Sequence, residues 1–289
     1  IVVKSGLRRQ VVVIRCLFWN INRKNLVQEL YNMVLENDID IVMLVEAENL
    51  DVQHFISRLK ECGRNFEKKE ILSRQREIIL LAEAKFKVAI YKEEKYFAAY
   101  KVREDGKNLL LVTVHFTSAM FRSELARNQR ANDLSRAIEK LEEVCNTEAL
   151  SAGEKTYSTI VAGDFNLQPF SAGIIGMHGF HAIMDSEKAM KGYRVGNGSE
   201  VKFFYNPTWS LLGRRDHALG TYYFDSDQDD NLFYWYMFDQ VLIRPELIDA
   251  FVWEEFEVID HIGEESLIRN HRIYKKKYSD HLPIKFAIR

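Results

Sequence analysis

The sequence predicts a mixed α/β protein, and three observations support this prediction. Strand-like and helix-like segments alternate over the first third of the chain. Short strand-like runs with brief polar connections then follow, which is typical of an antiparallel meander. Several strong strand segments also end in a carboxylate, an amide or an imidazole, which indicates a polar site held at strand ends.

The first third of the chain predicts two strand–helix pairs. Residues 11–19 are rich in β-branched and aromatic side chains and predict a strand, and residues 24–37 carry apolar side chains at helical spacing. Residues 40–45 are almost wholly apolar, which predicts a strand buried on both faces. Residues 52–59 have the spacing of a second amphipathic helix.

The middle of the chain predicts a meander followed by a long helix. The predicted strands are residues 77–82, 86–91, 96–102 and 108–115. A Glu-Asp-Gly-Lys turn leads into the last of them. A helix over residues 123–145 begins with Ser123 as its cap, and Arg127, Arg130 and Arg136 are predicted on its outer face.

The last part of the chain predicts four strands around an irregular region. These strands are residues 156–162, 239–243, 250–253 and 283–288. The region between the first two is too aromatic for a linker, because linkers are polar and rich in Gly, Ser and Pro. We therefore interpret residues 192–238 as an ordered aromatic insertion in a single domain of residues 1–289.

Composition argues against several classes of protein. The formal charge of −2 does not provide the basic face that binds nucleic acid by bulk electrostatics, so any phosphate recognition must be local. Cys16, Cys62 and Cys145 are too few and too far apart for a disulfide framework or a zinc cluster. No apolar run is long enough to span a bilayer, and the first residues lack a signal-peptide core. We expect a cytoplasmic protein.

Polar residues recur at the ends of the predicted strands and predict a metal site. They are Asn20, Glu46, His115, Asp164 and Asn166 after strands, and Asp239, Asp280 and His281 before them. Carboxylates gathered at one place repel one another unless a cation lies between them. A ligand set dominated by carboxylate and amide oxygens suits Mg²⁺ or Mn²⁺ better than Zn²⁺, and such ions commonly act on phosphates.

Each of these residues also has a simpler structural interpretation. Asn20 alone is typical of a turn or a helix cap. Glu46 follows an apolar strand, where burial requires either a cation or an Arg partner. His115 alone could be a packed structural histidine. Their recurrence in one chain favours a functional site over independent caps.

Together the motifs resemble the endonuclease/exonuclease/phosphatase family over nearly the whole chain. They are Trp-Asn-Ile-Asn at 19–22, Val-Glu at 45–46, Thr-Val-His at 113–115, Gly-Asp-Phe-Asn at 163–166, Phe-Asp-Gln-Val at 238–241 and Ser-Asp-His-Leu-Pro at 279–283. The resemblance implies a four-layer α/β/β/α sandwich of two packed mixed β-sheets, with the site at one end.

The resemblance also implies a role for each residue. Glu46, Asn20 and Asp280 would bind Mg²⁺ or Mn²⁺, and Asp164 would orient or deprotonate the attacking water. Asn166 would donate to the phosphate. His281, paired with Asp239, would act as an acid/base or as an electrostatic stabiliser, and His115 matches a position where relatives carry His or Tyr.

Four further residues are weaker candidates. Asn22 stands where several relatives have an acidic residue, and Glu77 is placed to pair with His115, although an exposed strand Glu is an equal alternative. Lys276 and Lys277 precede Asp280 and could contact a substrate phosphate backbone. A solvated hairpin tip is the alternative for both lysines.

These residues predict a metal-dependent phosphoesterase, with a nuclease acting on DNA or RNA as the leading hypothesis. A phosphatase or phosphodiesterase acting on a small phosphorylated molecule or a phospholipid headgroup is the alternative. A third hypothesis is a catalytically silent binding module. The aromatic insertion is predicted either to pack as core or to stack with splayed bases.

Overall fold

The computed structural model describes residues 12–69, 78–104, 106–116, 123–215, 217–227 and 232–289. The elements up to residue 164 are β1 (Ile14–Asn20), α1 (Val27–Glu36), β2 (Ile41–Val45), α2 (Val52–Glu61), β3 (Phe66–Lys69), β4 (Ile78–Glu83), β5 (Lys87–Glu94), β6 (Phe97–Glu104), β7 (Lys107–His115), α3 (Glu124–Ser151) and β8 (Ser158–Asp164).

Shorter elements dominate the remainder of the chain. They are α4 (Ala172–Ile175), β9 (Ala182–Ile183), α5 (Ser186–Ala189), β10 (Tyr193–Gly196), β11 (Ser199–Lys202), β12 (Phe204–Tyr205), β13 (Tyr222–Tyr223), β14 (Trp235–Tyr236), β15 (Asp239–Ile243), β16 (Glu257–Val258), β17 (His261–Ile262), β18 (Glu265–Ser266), β19 (Ile268–Arg269), β20 (Arg272–Ile273) and β21 (Ile284–Ile288). Three 3₁₀ helices occupy Pro207–Leu211, Pro245–Ala250 and Trp253–Glu255.

Two large mixed sheets organise these strands, as predicted. The six-stranded sheet has the order β16-β21-β1-β2-β4-β3, and the seven-stranded sheet has the order β5-β6-β7-β8-β15-β12-β9. In the first sheet β1 is parallel to β2, and in the second β7 is parallel to β8. β21 and β15 are antiparallel neighbours of β1 and β8, respectively.

The core between the sheets follows from the alternation of side chains along each strand. In β6, Tyr100 and Val102 face the core shared with the six-stranded sheet, whereas Phe97 and Ala99 face the cluster that includes α3. Helices α1 and α2 belong to the shared cluster through fully buried side chains such as Leu30 and Phe55. The chain is therefore an α/β/β/α sandwich.

The structure confirms some predicted elements and changes the bounds of others. All five residues of β2 are buried, as the continuous apolar run predicts. Helix α3 begins after Ser123, whose side chain accepts from the Ala126 amide at 3.3 Å, but it extends to Ser151 rather than ending at Cys145. The extension is anchored because Asn146 Oδ1 accepts from the Tyr157 amide at 2.7 Å.

The prediction of a strand over residues 250–253 is wrong. Its first and last residues, Ala250 and Trp253, belong to two 3₁₀ helices, and Phe251 between them forms only an isolated bridge, to Ile288. Pro245 opens the first of these helices, because its fixed φ suits a helical start and its missing N–H is not needed there.

Part of the segment 192–238 is integral to the sandwich. Strand β12 pairs with β15 on one side and with β9 on the other, within the seven-stranded sheet. The hairpins β10–β11 and β13–β14 form separate two-stranded sheets. Among the described residues, no helix has both the length and the apolar character needed to cross a bilayer.

Candidate active site

The strand ends of both sheets meet at one end of the sandwich. In the six-stranded sheet, Asn20 at the end of β1 lies beside Val45 at the end of β2, so Glu46 is the next residue beyond that edge. In the seven-stranded sheet, Asp164 lies between His115 on β7 and Asp239 on β15. The pairing of these strands thus brings residues from five distant segments of the sequence to one site.

Asn20 connects the two sheets. Its Nδ2 donates to Oε1 of Glu46 at 3.3 Å and to Oδ2 of Asp164 at 3.1 Å. Its Oδ1 accepts from the amide of Asn22 at 3.0 Å, which fixes the orientation of the side chain. A cap residue would bond only to backbone groups of its own turn. Asn20 instead bonds to two carboxylates from other strands, which favours its functional interpretation.

Glu46 is held as a carboxylate at the edge of the site. It has a φ of +49°, in the left-handed region that non-glycine residues seldom adopt and that clusters at functional sites. His115 Nε2 lies 3.5 Å from Oε1 of Glu46, and Arg23 Nε lies 3.6 Å from Oε2. The hydrogen bond from His115, with smaller help from Asn20 and Arg23, outweighs burial and lowers the pKa of Glu46 to about 2.

Asp164 is buried and oriented by Asn166. Its Oδ1 accepts from the amide of Asn166 at 2.8 Å and from Nδ2 of the same residue at 2.9 Å. Asn166 also has a left-handed φ of +47°, and its Nδ2 donates to the Phe116 carbonyl at 3.1 Å. With Oδ1 occupied, Oδ2 is the oxygen of Asp164 that faces Asn20 and His281.

Asp239 and His281 form a buried pair beside Asp164. Nδ1 of His281 lies 2.8 Å from Oδ2 of Asp239, and Nε2 of His281 lies 3.8 Å from Oδ2 of Asp164. Burial raises the pKa of Asp239. Burial would lower the pKa of His281, but the charges of Asp239, Asp164 and Asp280 outweigh it and raise that pKa. These carboxylates favour the protonated imidazole, whose Nε2 side is directed towards Asp164.

The loop that carries Asp280 and His281 is anchored to β1. The Ser279 hydroxyl donates to the Asn20 carbonyl at 2.6 Å and accepts from the His281 amide at 3.1 Å. Trp19 Nε1 donates to the His281 carbonyl at 2.8 Å. These bonds fix His281 relative to the metal-ligand candidates, while Asp280 stays partly exposed.

The oxygen-rich donor set is compatible with a divalent cation. Among the described residues, ligand atoms of Asp164, Asp239 and His281 lie within 4.8 Å of one another. Asn20 links this group to Glu46, which is ionised and only partly buried. Because Asp239 and His281 are hydrogen-bonded to each other, the Glu46 side of the site is the better place for an ion.

Three residues that support the site were not among the sequence candidates. Thr221 Oγ1 accepts from the Asp239 amide at 3.1 Å, and the Tyr222 ring lies 4.9 Å from the His281 ring. Arg127, predicted on the outer face of α3, instead turns inwards, and its Nη1 donates to the Asn166 carbonyl. No local pattern distinguishes Arg127 from Arg130 or Arg136, because only the packing of α3 decides which arginine reaches the site.

The weaker sequence candidates have different positions. Asn22 contacts the site through its backbone amide, which donates to Asn20. Lys277 forms an ion pair with Glu265 at 2.5 Å, and Lys276 is exposed. Glu77 lies outside the described residues, so its pairing with His115 stays a prediction.

Comparison with solved structures identifies the architecture. The chain is similar to D. rerio TDP2 complexed with a single-strand DNA product, with 16% identity, a TM-score of 0.56, and coverage of 96% of this chain and 100% of that one. For the endonuclease domain of TRAS1, a telomere-specific non-LTR retrotransposon, identity is 13%, the TM-score is 0.52, and coverage is 96% and 98%.

A bacterial structure is also similar over nearly the whole of both chains. An endonuclease/exonuclease/phosphatase family protein from Bacteroides thetaiotaomicron has 14% identity, a TM-score of 0.53, and coverage of 96% of this chain and 98% of that chain. No protein-family model and no curated protein matches the sequence. The chain has the fold of the endonuclease/exonuclease/phosphatase proteins.

Proposed function

We propose that this chain is a divalent-metal-dependent phosphoesterase that hydrolyses phosphodiester bonds in DNA or RNA. The observation that carries the proposal is the Asn20 side chain, which joins the carboxylates of Glu46 and Asp164. The buried Asp239–His281 pair lies directly beside them. A candidate metal-ligand group, a candidate base and an imidazole paired with a carboxylate therefore share one site.

Glu46, Asp280 and Asn20 are the residues that would bind Mg²⁺ or Mn²⁺. Glu46 and Asp280 offer carboxylate oxygens, which hard divalent cations prefer, and the low pKa of Glu46 keeps its carboxylate ionised. Asn20 would bind through Oδ1 after its amide turns from the orientation in which Nδ2 donates to Glu46 and Asp164. When bound, the ion would neutralise phosphate charge and polarise a phosphoryl oxygen.

Asp164 would accept a proton from the attacking water. Its Oδ1 is occupied by Asn166, whereas Oδ2 faces the site, 3.1 Å from Asn20 Nδ2 and 3.8 Å from His281 Nε2. Asn166 orients this carboxylate, and its donation to a phosphate would replace its bond to the Phe116 carbonyl. Protonated His281 would attract the anionic phosphate and donate to an oxygen on which charge develops.

The neighbours in fold support a nucleic-acid substrate. One is a TDP2 protein complexed with a single-strand DNA product, and another is an endonuclease domain. A small phosphorylated molecule or a phospholipid headgroup is the second candidate, because the formal charge of −2 does not provide a broad basic surface. Hydrolysis assays on single- and double-stranded DNA and RNA, phosphomonoesters and phospholipids separate these candidates.

We expect activity to depend entirely on an added divalent ion. Removal of metal with EDTA should abolish phosphodiester hydrolysis, and Mg²⁺ or Mn²⁺ should restore it, because the anionic reacting centre needs charge neutralisation. The measurement is the initial rate after dialysis and re-addition of each ion. The variant Glu46→Gln should require a higher metal concentration for half-maximal rate than the control Glu48→Gln. Full activity in EDTA would contradict the proposal.

We also expect Arg127 to act as a positioning residue. Replacing it with Met removes the donor to the Asn166 carbonyl and releases a turn held at positive φ, so the Asp164 carboxylate loses its fixed orientation. We expect kcat to fall about 10- to 100-fold with a smaller change in KM. Arg127→Lys should recover part of the rate. Arg130→Met is the matched control, because that guanidinium lies over the Tyr96 ring, 4.3 Å from its centroid.

A further inference from the structure

A row of aromatic rings leads from the active-site histidine to the protein surface. The first ring contact is between His281 and Tyr222, whose centroids are 4.9 Å apart. The next contacts are Tyr222–Phe238 at 5.4 Å, Phe238–Tyr236 at 5.1 Å, Tyr236–Phe233 at 5.9 Å, Phe233–Phe170 at 5.9 Å and Phe170–Trp209 at 6.2 Å. We call Tyr222, Phe238, Tyr236, Phe233, Phe170 and Trp209 the aromatic row.

Exposure differs between the rings of the aromatic row. Phe238 is 6% exposed, whereas Phe170 is 43% and Phe233 is 59% exposed. Aromatic rings that serve only as core are buried, because exposing them forfeits the free energy of burial. The sequence left both core packing and base stacking open for this region. In the structure Phe238 is packed in the core, whereas Phe170 and Phe233 keep exposed surface that is open to a ligand.

Backbone contacts hold the inner part of the aromatic row in place. Tyr222 and Tyr236 are register partners in the β13–β14 hairpin, and the Thr221 amide donates to the Tyr236 carbonyl at 2.9 Å. A Cβ on Gly220 would lie only 2.6 Å from the Tyr236 carbonyl oxygen, so this close approach requires glycine. The row is therefore preorganised next to His281, which lowers the entropic cost of binding against it.

We propose that Phe170 and Phe233 stack with unpaired bases of a nucleic-acid strand whose scissile phosphate lies at His281. This inference rests on the proposed function and specifies its substrate as single-stranded or locally unpaired. Aromatic rings bind bases of any sequence, because every base presents a π-face. Bases within a duplex are already stacked and paired, so they cannot contact these rings without first being splayed out.

Continuity with the active site favours bases over an acyl chain or a bilayer. A membrane anchor needs only an exposed apolar patch, whereas this row reaches His281 through an unbroken series of ring contacts. The phenol groups of Tyr222 and Tyr236 also add polar atoms along the row, which suit the edges of bases. A strand whose phosphate lies at His281 would carry its adjoining nucleotides towards the exposed rings of Phe233 and Phe170.

The test measures binding separately from cleavage. Fluorescence anisotropy of a labelled 12-nucleotide single-stranded oligonucleotide is recorded in EDTA, where no hydrolysis is expected. We expect Phe233→Ala and Phe170→Ala each to weaken binding roughly 5- to 150-fold, the range of one stacked base. The salt dependence of binding should be unchanged, because stacking releases no counterions. Phe233→Trp should restore affinity, and Leu150→Ala, an exposed apolar change on α3, should leave it unchanged.

Other outcomes would overturn the inference. Unaltered single-strand affinity in both Ala variants, or equal affinity for the matching duplex, contradicts base stacking. Loss of binding to phosphatidylcholine vesicles in the same variants, with oligonucleotide affinity intact, would assign the surface to a bilayer. Hydrolysis of bis(p-nitrophenyl) phosphate by the wild type tests the proposed function separately, because this substrate carries no bases to stack. If that hydrolysis is absent in wild type while stacking is observed, the proposed function fails and the binding surface stands.

Discussion

Replacing Asp164 with Asn should lower kcat for phosphodiester hydrolysis by about 10²- to 10⁴-fold, the range for loss of a general base. The amide cannot take the proton from water. It also cannot accept at both positions, where Asn166 donates to Oδ1 and Asn20 donates to Oδ2. If the oxygen of the substituted side chain accepts from Asn166, its NH₂ group would face the NH₂ group of Asn20. Single-turnover rates at saturating metal measure the effect.

His281→Ala should give a comparable loss of about 10²- to 10³-fold, because it removes the cation that faces the phosphate. The double variant should be no slower than about the slower single variant, since groups that act as a unit are not additive. Arg136→Ala is the control, because that exposed side chain bonds to Asp133 and to the Asn132 carbonyl, both on α3. Circular dichroism should show a folded protein in all four variants. Near-normal rates in both single variants would reject the catalytic assignment.

Replacing Glu142 with Ala should cost about 3–5 kcal/mol of unfolding free energy, the penalty for stranding a buried charge. Arg244, only 5% exposed, donates through Nε and Nη2 to Glu142 at 2.9 and 2.8 Å. Its Nη1 donates to the Phe203 carbonyl at 2.9 Å, and its guanidinium lies 3.7 Å from the Phe204 ring centroid. This pair joins α3 to the seven-stranded sheet, far along β15 from Asp239.

Urea denaturation followed by circular dichroism measures this loss as a shift in midpoint. The control Glu143→Ala removes the neighbouring exposed carboxylate and should change stability by less than about 0.5 kcal/mol. The pair Glu142→Leu with Arg244→Met should recover most of the loss, because an apolar pair leaves no buried charge. Below the denaturation midpoint, kcat of the Glu142→Ala variant should be close to wild type. A loss under 1 kcal/mol would mean that water reaches Arg244 in the folded state.

The mixed α/β class and the strand-end positions of the polar residues were predictable, because both depend on local pattern. Hydrophobic periodicity identified β2 and α1, and the strand-end positions of Asn20 and Asp164 follow from where the apolar runs stop. The strand over residues 250–253 was mispredicted because an apolar run is compatible with either a short strand or a 3₁₀ segment. The extension of α3 to Ser151 depends on packing that its own sequence does not report.

The amino-acid sequence alone specifies which chemical groups are present and predicts that they stand at the ends of strands. Only the tertiary structure decided that Asn20 would join Glu46 to Asp164, that Ser279 would bond to a carbonyl 259 residues away, and that Arg127 would turn inwards. Strands and helices depend mainly on residues that are close in the sequence. These contacts instead depend on how two twisted sheets pack. Packing is a collective property of the core, so it fixes distances between residues that share no local sequence.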